Sequence, residues 1–321
     1  MAAIEAEGLR RTYKTHTGTL RRRTKEIEAV RGVDFAIEAG ELFGLLGPNG
    51  AGKTTTIKML ITLLIPTAGK ATVLGLDVVE NAREVRKRIG YVFGGERGVY
   101  ERLSGYDNLR YFAELYGVPA REQKRRIEEL LELVGLKGRE HERAEGYSRG
   151  MKQRLHVARG LLHDPEVLFL DEPTIGLDPV GARDVRAMIA SLTDAGKTVL
   201  LTTHYMFEAD ALCDRIAVIT QGEIVAEGTP EQLKRGVAEG TVVEVEVYGV
   251  GDEALARVRG LGGVTAVAVE EREQAQVLVV QTGPGAQLTQ AILGCLDGSD
   301  VGRISHREPT LEDAYVALVS E

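Results

Sequence analysis

Gly47-Pro48-Asn49-Gly50-Ala51-Gly52-Lys53-Thr54-Thr55 is the stretch on which the reading of this chain turns. It follows the G-x-x-x-x-G-K-[ST] spacing of a phosphate-binding loop. Its flanks agree: residues 41–46 (Glu-Leu-Phe-Gly-Leu-Leu) read as a buried strand and residues 54–64 as a helix. Each residue type has a task there. Glycines let backbone N–H groups converge on phosphate oxygens, the Lys53 ammonium neutralises β/γ charge, and the Thr54 hydroxyl is a ligand for Mg²⁺. The positive end of the following helix faces the same phosphates. A glycine-rich turn that matches by chance would need neither flanking element.

Outward from the loop, short apolar runs at 42–46, 167–170, 198–201 and 216–219 alternate with longer helical patterns up to about Gly228, which predicts a mainly parallel sheet covered by helices. Residues 111–116 and 121–134 suggest an inserted helical subdomain within about 96–165. After Gly228-Thr229-Pro230 and a helix-like 231–237 the character changes. Residues 241–247 alternate valine with glutamate and tyrosine, 264–269 and 276–281 read as strands, and 253–259, 286–296 and 310–318 as helices. The expected fold is therefore α/β over 1–236 with a small α+β domain over 237–321.

The bulk numbers set limits on function. A net charge of −8 with both signs mixed throughout argues against a general nucleic-acid binder, although Arg21-Arg22-Arg23 with Lys25 form a local basic patch. Cys213 and Cys295 stand far apart without metal spacing, which points to reduced thiols in a cytosolic setting. No apolar run approaches the roughly 18 to 20 residues of a membrane span, and the N-terminus lacks a signal-peptide layout, so a membrane role is expected to come through a partner.

Two carboxylates, Asp171 and Glu172, end the apolar run Val167-Leu168-Phe169-Leu170. Strand ends are where an α/β sheet places chemistry. Beside a phosphate loop, Asp171 is suited to hold Mg²⁺, directly or through water, and Glu172 to polarise a water for attack on the γ-phosphate; without that loop they would read as a solvated pair. His204 ends the next apolar strand. A lone histidine is usually structural, but at this place it can sense the γ-phosphate. Ser148, a natural N-cap, and Gly150 open a helix that runs to Leu162, a second surface able to take phosphate. One nucleotide hardly needs two such sites.

That surplus resembles the ATP-binding-cassette ATPases, in which two subunits sandwich ATP between the phosphate loop of one and the signature segment of the other. The resemblance covers roughly residues 4–235, with several motifs in the family's order. It implies a P-loop ATPase cassette, with ATP and Mg²⁺ as ligands. Gly47, Asn49, Gly50, Gly52, Lys53, Thr54 and Thr55 would bind nucleotide as Walker A, and Thr54 and Asp171 would bind the metal. Glu172 would be the catalytic base, His204 the switch histidine, and Asp178, in Gly176-Leu177-Asp178, part of the D-loop. Tyr13 stands where the family keeps an aromatic that stacks on adenine, a buried strand-edge tyrosine being the plainer reading. Residues 14–26 are an insertion, read as a solvated loop or as a contact for anionic lipid.

Two departures from the family pattern stand out. The signature normally reads Leu-Ser-Gly-Gly-Gln, and here Tyr147, Arg149 and Met151 replace its first, third and fifth residues while Ser148 and Gly150 are kept. No glutamine occupies the Q-loop after Ile89-Gly90-Tyr91-Val92-Phe93, where Gly94-Gly95-Glu96-Arg97 stand instead. Two readings stay open, Glu96 at the metal or a water in place of the amide. The combination of this Q-loop region, Arg102-Leu103-Ser104 and Asp107-Asn108-Leu109 after it, and a C-terminal domain ending Glu308-Pro309-Thr310-Leu311-Glu312-Asp313-Ala314-Tyr315 is similar to bacterial exporter ATPases associated with daunorubicin resistance and sodium export. The expectation is an ATPase subunit, peripheral on the inner face of the cell membrane, that forms a homodimer and drives a separate permease. A cassette protein acting on nucleic acid or the ribosome is the rival, disfavoured by the acidic charge and the lack of a long coiled-coil pattern. A P-loop kinase, the other rival, leaves the helix at Ser148 unexplained.

Overall fold

Uninterrupted apolar runs bounded by polar ends make strands that are buried on both faces, and three such strands hold the centre of this protein. The computed structural model describes residues 2–17, 23–94, 98–237, 240–272, 275–283, 286 and 288–320. The chain divides into two units, Met1–Glu227 and Gly228–Glu321. Up to that divide the strands are β1 (Ala2–Thr17), β2 (Arg23–Glu38), β3 (Leu42–Leu46), β4 (Ala68–Val73), β5 (Leu76–Asp77), β6 (Ile89–Phe93), β7 (Val167–Asp171), β8 (Thr198–Thr203), β9 (Arg215–Thr220) and β10 (Glu223–Gly228). The helices are α1 (Lys53–Leu60), α2 (Ala82–Arg88), α3 (Gly105–Leu115), α4 (Ala120–Leu133), α5 (Arg149–Gly160), α6 (Pro179–Asp194) and α7 (Met206–Leu212).

The central sheet runs β10-β9-β3-β8-β7-β6. From β9 to β6 every pairing is parallel, and β3, β7 and β8 are buried at every residue. Parallel strands align their C-terminal ends, so the loops after β3, β8 and β7 emerge side by side in that order. The turn Gln221-Gly222, with φ of 49° and 85°, has the two left-handed residues that a tight β9–β10 connection requires.

A second sheet, β2-β1-β4-β5, is antiparallel throughout. Its Ile4, Val33 and Ile37 share one apolar core with Ile57 and Met59 of α1 and with Phe43 and Phe169 of the central sheet. Residues 14–17 and 23–26 correct the expectation of a loop, because Lys14 pairs with Glu26 and Thr17 with Arg23 in a continuation of the β1–β2 ladder; residues 18–22 lie outside the described residues. Arg21 and Arg22 of the basic patch, and Gly95, Glu96 and Arg97, lie outside the described residues.

The second unit contains α8 (Pro230–Val237), β11 (Val242–Tyr248), α9 (Asp252–Arg259), β12 (Val264–Arg272), β13 (Ala275–Thr282), α10 (Thr289–Cys295), β14 (Asp300–Arg307) and α11 (Leu311–Ser320). Its sheet order, β12-β13-β11-β14, with antiparallel pairing throughout, makes a split βαβ arrangement. Alternation sends Val243, Val245, Leu278 and Val280 to one face, where they pack with Val258 of α9 and Ile292 of α10. Val242, Val277 and Val279 face the other way. The patterning places a domain boundary at 236/237; in the structure α8 packs on α11, and the division falls ahead of it. No helix among the described residues is long and apolar enough to cross a membrane.

Candidate nucleotide and metal site

The loop after β3 is shaped by two glycines that no other residue could replace. A Cβ on Gly47 would lie 2.2 Å from the Ile219 carbonyl oxygen of β9, and one on Gly52, at φ 112°, would lie 2.6 Å from the Ala29 carbonyl oxygen of β2. Asn49 and Gly50 are exposed at the crest and Thr55 is half-buried in α1. Ser104, Ser148 and Asp178 cap α3, α5 and α6, but α1 begins at Gly52 with no side-chain cap. Its leading N–H donors are left for an anion.

Lys53 is 4% exposed, and its Nζ donates to the carbonyls of Gly47 at 2.6 Å and Pro48 at 3.2 Å. Glu172 Oε1 stands 3.3 Å from the same nitrogen. The ammonium is therefore held against the loop, within reach of any charge the loop encloses. Thr54 Oγ1 donates to Asp171 Oδ1 at 3.2 Å. Thr202 Oγ1 donates to the same oxygen at 2.6 Å and accepts the Glu172 N–H at 3.1 Å. Register explains this: Thr202 on β8 lies opposite both Leu45 of β3 and Asp171 of β7, between the phosphate loop and the carboxylates.

Glu172 sits at φ 51°, a left-handed conformation uncommon for a residue with a side chain. Its N–H also bonds the Thr202 carbonyl at 3.0 Å, which fixes the turn that brings its carboxylate back toward Lys53. His204 Nδ1 lies 3.3 Å from Glu172 Oε2, close enough for charge attraction but not aligned as a hydrogen bond. Burial, reinforced by the charge of Asp171, pushes the Tyr91 phenol up to about 12, which keeps it protonated beside the carboxylates. A hydroxyl and a carboxylate are hard oxygen donors that suit Mg²⁺. Among the described residues no three His, Cys, Asp or Glu side chains cluster as a metal cage.

The other expected residues form a separate group. Ser148 caps α5 by accepting the Met151 N–H at 3.2 Å, and Gly150 would place a Cβ 3.4 Å from the Gly181 Cα at the start of α6. Asp178 caps α6 through the N–H groups of Val180 and Gly181, both at 3.0 Å, and the Gly181 bond leads in holding its carboxyl below the usual range. The starts of α5 and α6 thus present Ser148, Gly150 and Asp178 together. Tyr13 is opposite Ile27 on the β1–β2 ladder, with the Arg11 guanidinium 4.9 Å from its ring centre.

The Q-loop position next to β6 admits no glutamine. Gly94 N–H bonds the Asp171 carbonyl at 2.7 Å, and a Cβ there would lie 2.2 Å from the Glu172 oxygen. Sequence reasoning passed over Thr202 and Tyr91. The signal for Thr202 was two threonines, 202 and 203, closing an otherwise aliphatic strand just before His204.

Comparison with known proteins agrees with this geometry. The family model described as "ABC transporter" matches residues 30–175. The chain is 44% identical to the ABC transporter ATP-binding protein NatA of Bacillus subtilis (strain 168), over 65% of this chain and 85% of that protein. It is 38% identical to the daunorubicin resistance ATP-binding protein DrrA3 of Streptomyces coeruleorubidus, over 92% of each. Among solved structures, cbiO1 from Clostridium perfringens, part of the ABC transporter complex cbiONQ, superposes with a TM-score of 0.63 at 26% identity, covering 74% of this chain and 94% of that one.

Proposed function

The chain belongs to the ATP-binding-cassette family of transporter ATPases, with ATP and Mg²⁺ as its ligands, and from there we propose that it is the energy-supplying subunit of an exporter, acting as a homodimer on a separate permease. The observation that carries this reading is the convergence of Lys53, Thr54, Asp171 and Glu172, with Thr202 between them, at the ends of three neighbouring strands. Lys53 and the leading N–H groups of α1 bind and orient the β- and γ-phosphates. Thr54 and Asp171 hold Mg²⁺, which neutralises phosphate charge when bound. Glu172 accepts a proton from the attacking water, and His204 steadies it. Thr202 keeps Asp171 and the Glu172 backbone in place. Tyr13 is assigned to adenine stacking.

Ser148, Gly150 and Asp178 serve the nucleotide of the second subunit. A cavity of about 580 Å³ in the first unit, bordered by exposed Leu63 and Leu115 with Tyr116, offers apolar surface for the permease. The relatives named for resistance to daunorubicin and for ATP binding in transporters support the exporter reading, and a place on the inner membrane face follows from it.

Ser148→Arg tests the two-subunit arrangement. ATP binding to the intact loop should stay within a few-fold of the parent, while turnover falls by about 10²–10³, the usual loss when one transition-state donor is removed. Parental turnover in this variant contradicts the arrangement.

A further inference from the structure

Thr203 and Tyr205 flank His204, and both are tied to one buried carboxylate. Glu208 of α7 is 3% exposed. Its Oε2 accepts a hydrogen bond from the Thr203 hydroxyl at 3.1 Å, and the same hydroxyl accepts the Tyr205 N–H at 3.0 Å. The Thr203 carbonyl accepts the Gly47 N–H of the phosphate loop at 3.4 Å. Beyond the turn, the Tyr205 carbonyl accepts the Glu208 N–H at 3.0 Å, and the ring centres of Tyr205 and His204 are 4.1 Å apart. The turn that carries His204 is therefore fastened on both sides, which restricts the direction of the imidazole.

A carboxylate this far from water needs a cation. Arg186 of α6 supplies it, with Nη1 3.2 Å from Glu208 Oε1 and the guanidinium 5.4 Å from the Phe207 ring centre. Arg186 stands roughly two turns along the helix that Asp178 caps. The pair thus joins α6 to the turn at His204. An ion pair that only fastened α6 to α7 would need one carboxylate oxygen; the second is directed at Thr203.

We propose that Glu208 is a positioning residue for hydrolysis: held by Arg186, its carboxylate sets the Thr203–Tyr205 turn and so keeps His204 Nδ1 at 3.3 Å from Glu172. The inference rests on the roles given above to Glu172 and His204.

The test uses the full-length chain with carbon-13-labelled histidine, its His204 signals identified by their loss in His204→Ala. Thr203→Val, close in volume but without the hydroxyl, should move the His204 signals. Those of His163 should stay in place, since its ring bonds the Ile89 carbonyl at the opposite end of the parallel sheet. Turnover should fall about tenfold or more, the scale of a small misplacement at the reacting centre, while ATP affinity stays within a few-fold of the parent. Thr203→Ser, which keeps the hydroxyl, should recover most of the loss. Glu208→Gln keeps the shape and weakens the bond to Thr203 by removing its charge, so the same signals should move in the same direction by less. The double variant should lose no more turnover than Thr203→Val alone. Parental turnover in His204→Ala overturns the reading of the site and this inference with it. Reduced turnover there, with unmoved His204 signals in both Thr203→Val and Glu208→Gln or with losses that multiply in the double variant, overturns this inference alone.

Discussion

Lys53 and Glu172 face each other at 3.3 Å, both largely out of water, so neither can be removed without leaving the other uncompensated. Lys53→Ala should weaken ATP binding by about 2 to 5 kcal/mol, as other truncated buried charge pairs do, and a calorimetric titration that finds parental affinity would refute its assignment to the phosphates. Glu172→Gln keeps the shape and loses the base. Turnover should drop by roughly two orders of magnitude or more while ATP affinity holds, and equal losses in both would mean that Glu172 works in binding. Thr202→Val removes the hydroxyl that bonds Asp171 at 2.6 Å. Outer-shell partners of metal ligands typically matter by about 10–100-fold, and the Mg²⁺ dependence of turnover measures it. The charged members of this site were legible in the sequence because their spacing and strand ends announce them. Thr202 was not, because its role depends on the register between β7 and β8.

At the scale of elements, the strands read most easily were those buried on both faces, β3, β7 and β8. The antiparallel sheet was missed, since β1 carries several register shifts that break alternation over Ala2–Thr17. β14 was missed because it is an edge strand, exposed over most of its length, with no apolar face to reveal it. The segment after β6 carries a correction with consequences. Restoring a glutamine at Gly94 cannot test the Q-loop, because any side chain there strikes the Glu172 backbone; Gly94→Ala alone should lower thermal stability and slow hydrolysis, and a parental melting temperature would show that this turn yields easily.

Near the same segment, His156 of α5 is buried against Phe93, with a ring-centre distance of 5.2 Å. Burial, helped by Arg159, lowers its pKa from 6.5 to about 4. The unfolded chain therefore takes up this proton first. The stability from a neutral His156 is complete above about pH 6.5 and lost between there and pH 4, up to about 3 kcal/mol. His163, lowered mainly by burial as well, adds in the same direction. His156→Phe should flatten the fall in melting temperature between pH 7 and 5, and an unchanged slope would remove His156 as its source.

For the molecule as a whole, the two units have separate cores, and every residue assigned to phosphate, metal or water precedes Gly228. A chain truncated after Thr229, ahead of α8, should fold and gain thermal stability with MgATP, by about 2.7 kcal/mol at a hundredfold excess over Kd. Insolubility or loss of that stabilisation would place the C-terminal unit in the cassette's own core. The change to valine alternation after Gly240 made the second unit visible in the sequence; the allegiance of α8 was not, because its partner α11 is distant in the chain. The central claim is that two chains close around ATP, each supplying Lys53 and Glu172 to one nucleotide and Ser148 to the other. Size exclusion of Glu172→Gln with MgATP measures this most directly. The account predicts a dimer that retains two nucleotides and reverts to monomer when Ser148→Arg is added, and a monomer with ATP demonstrably bound would contradict it.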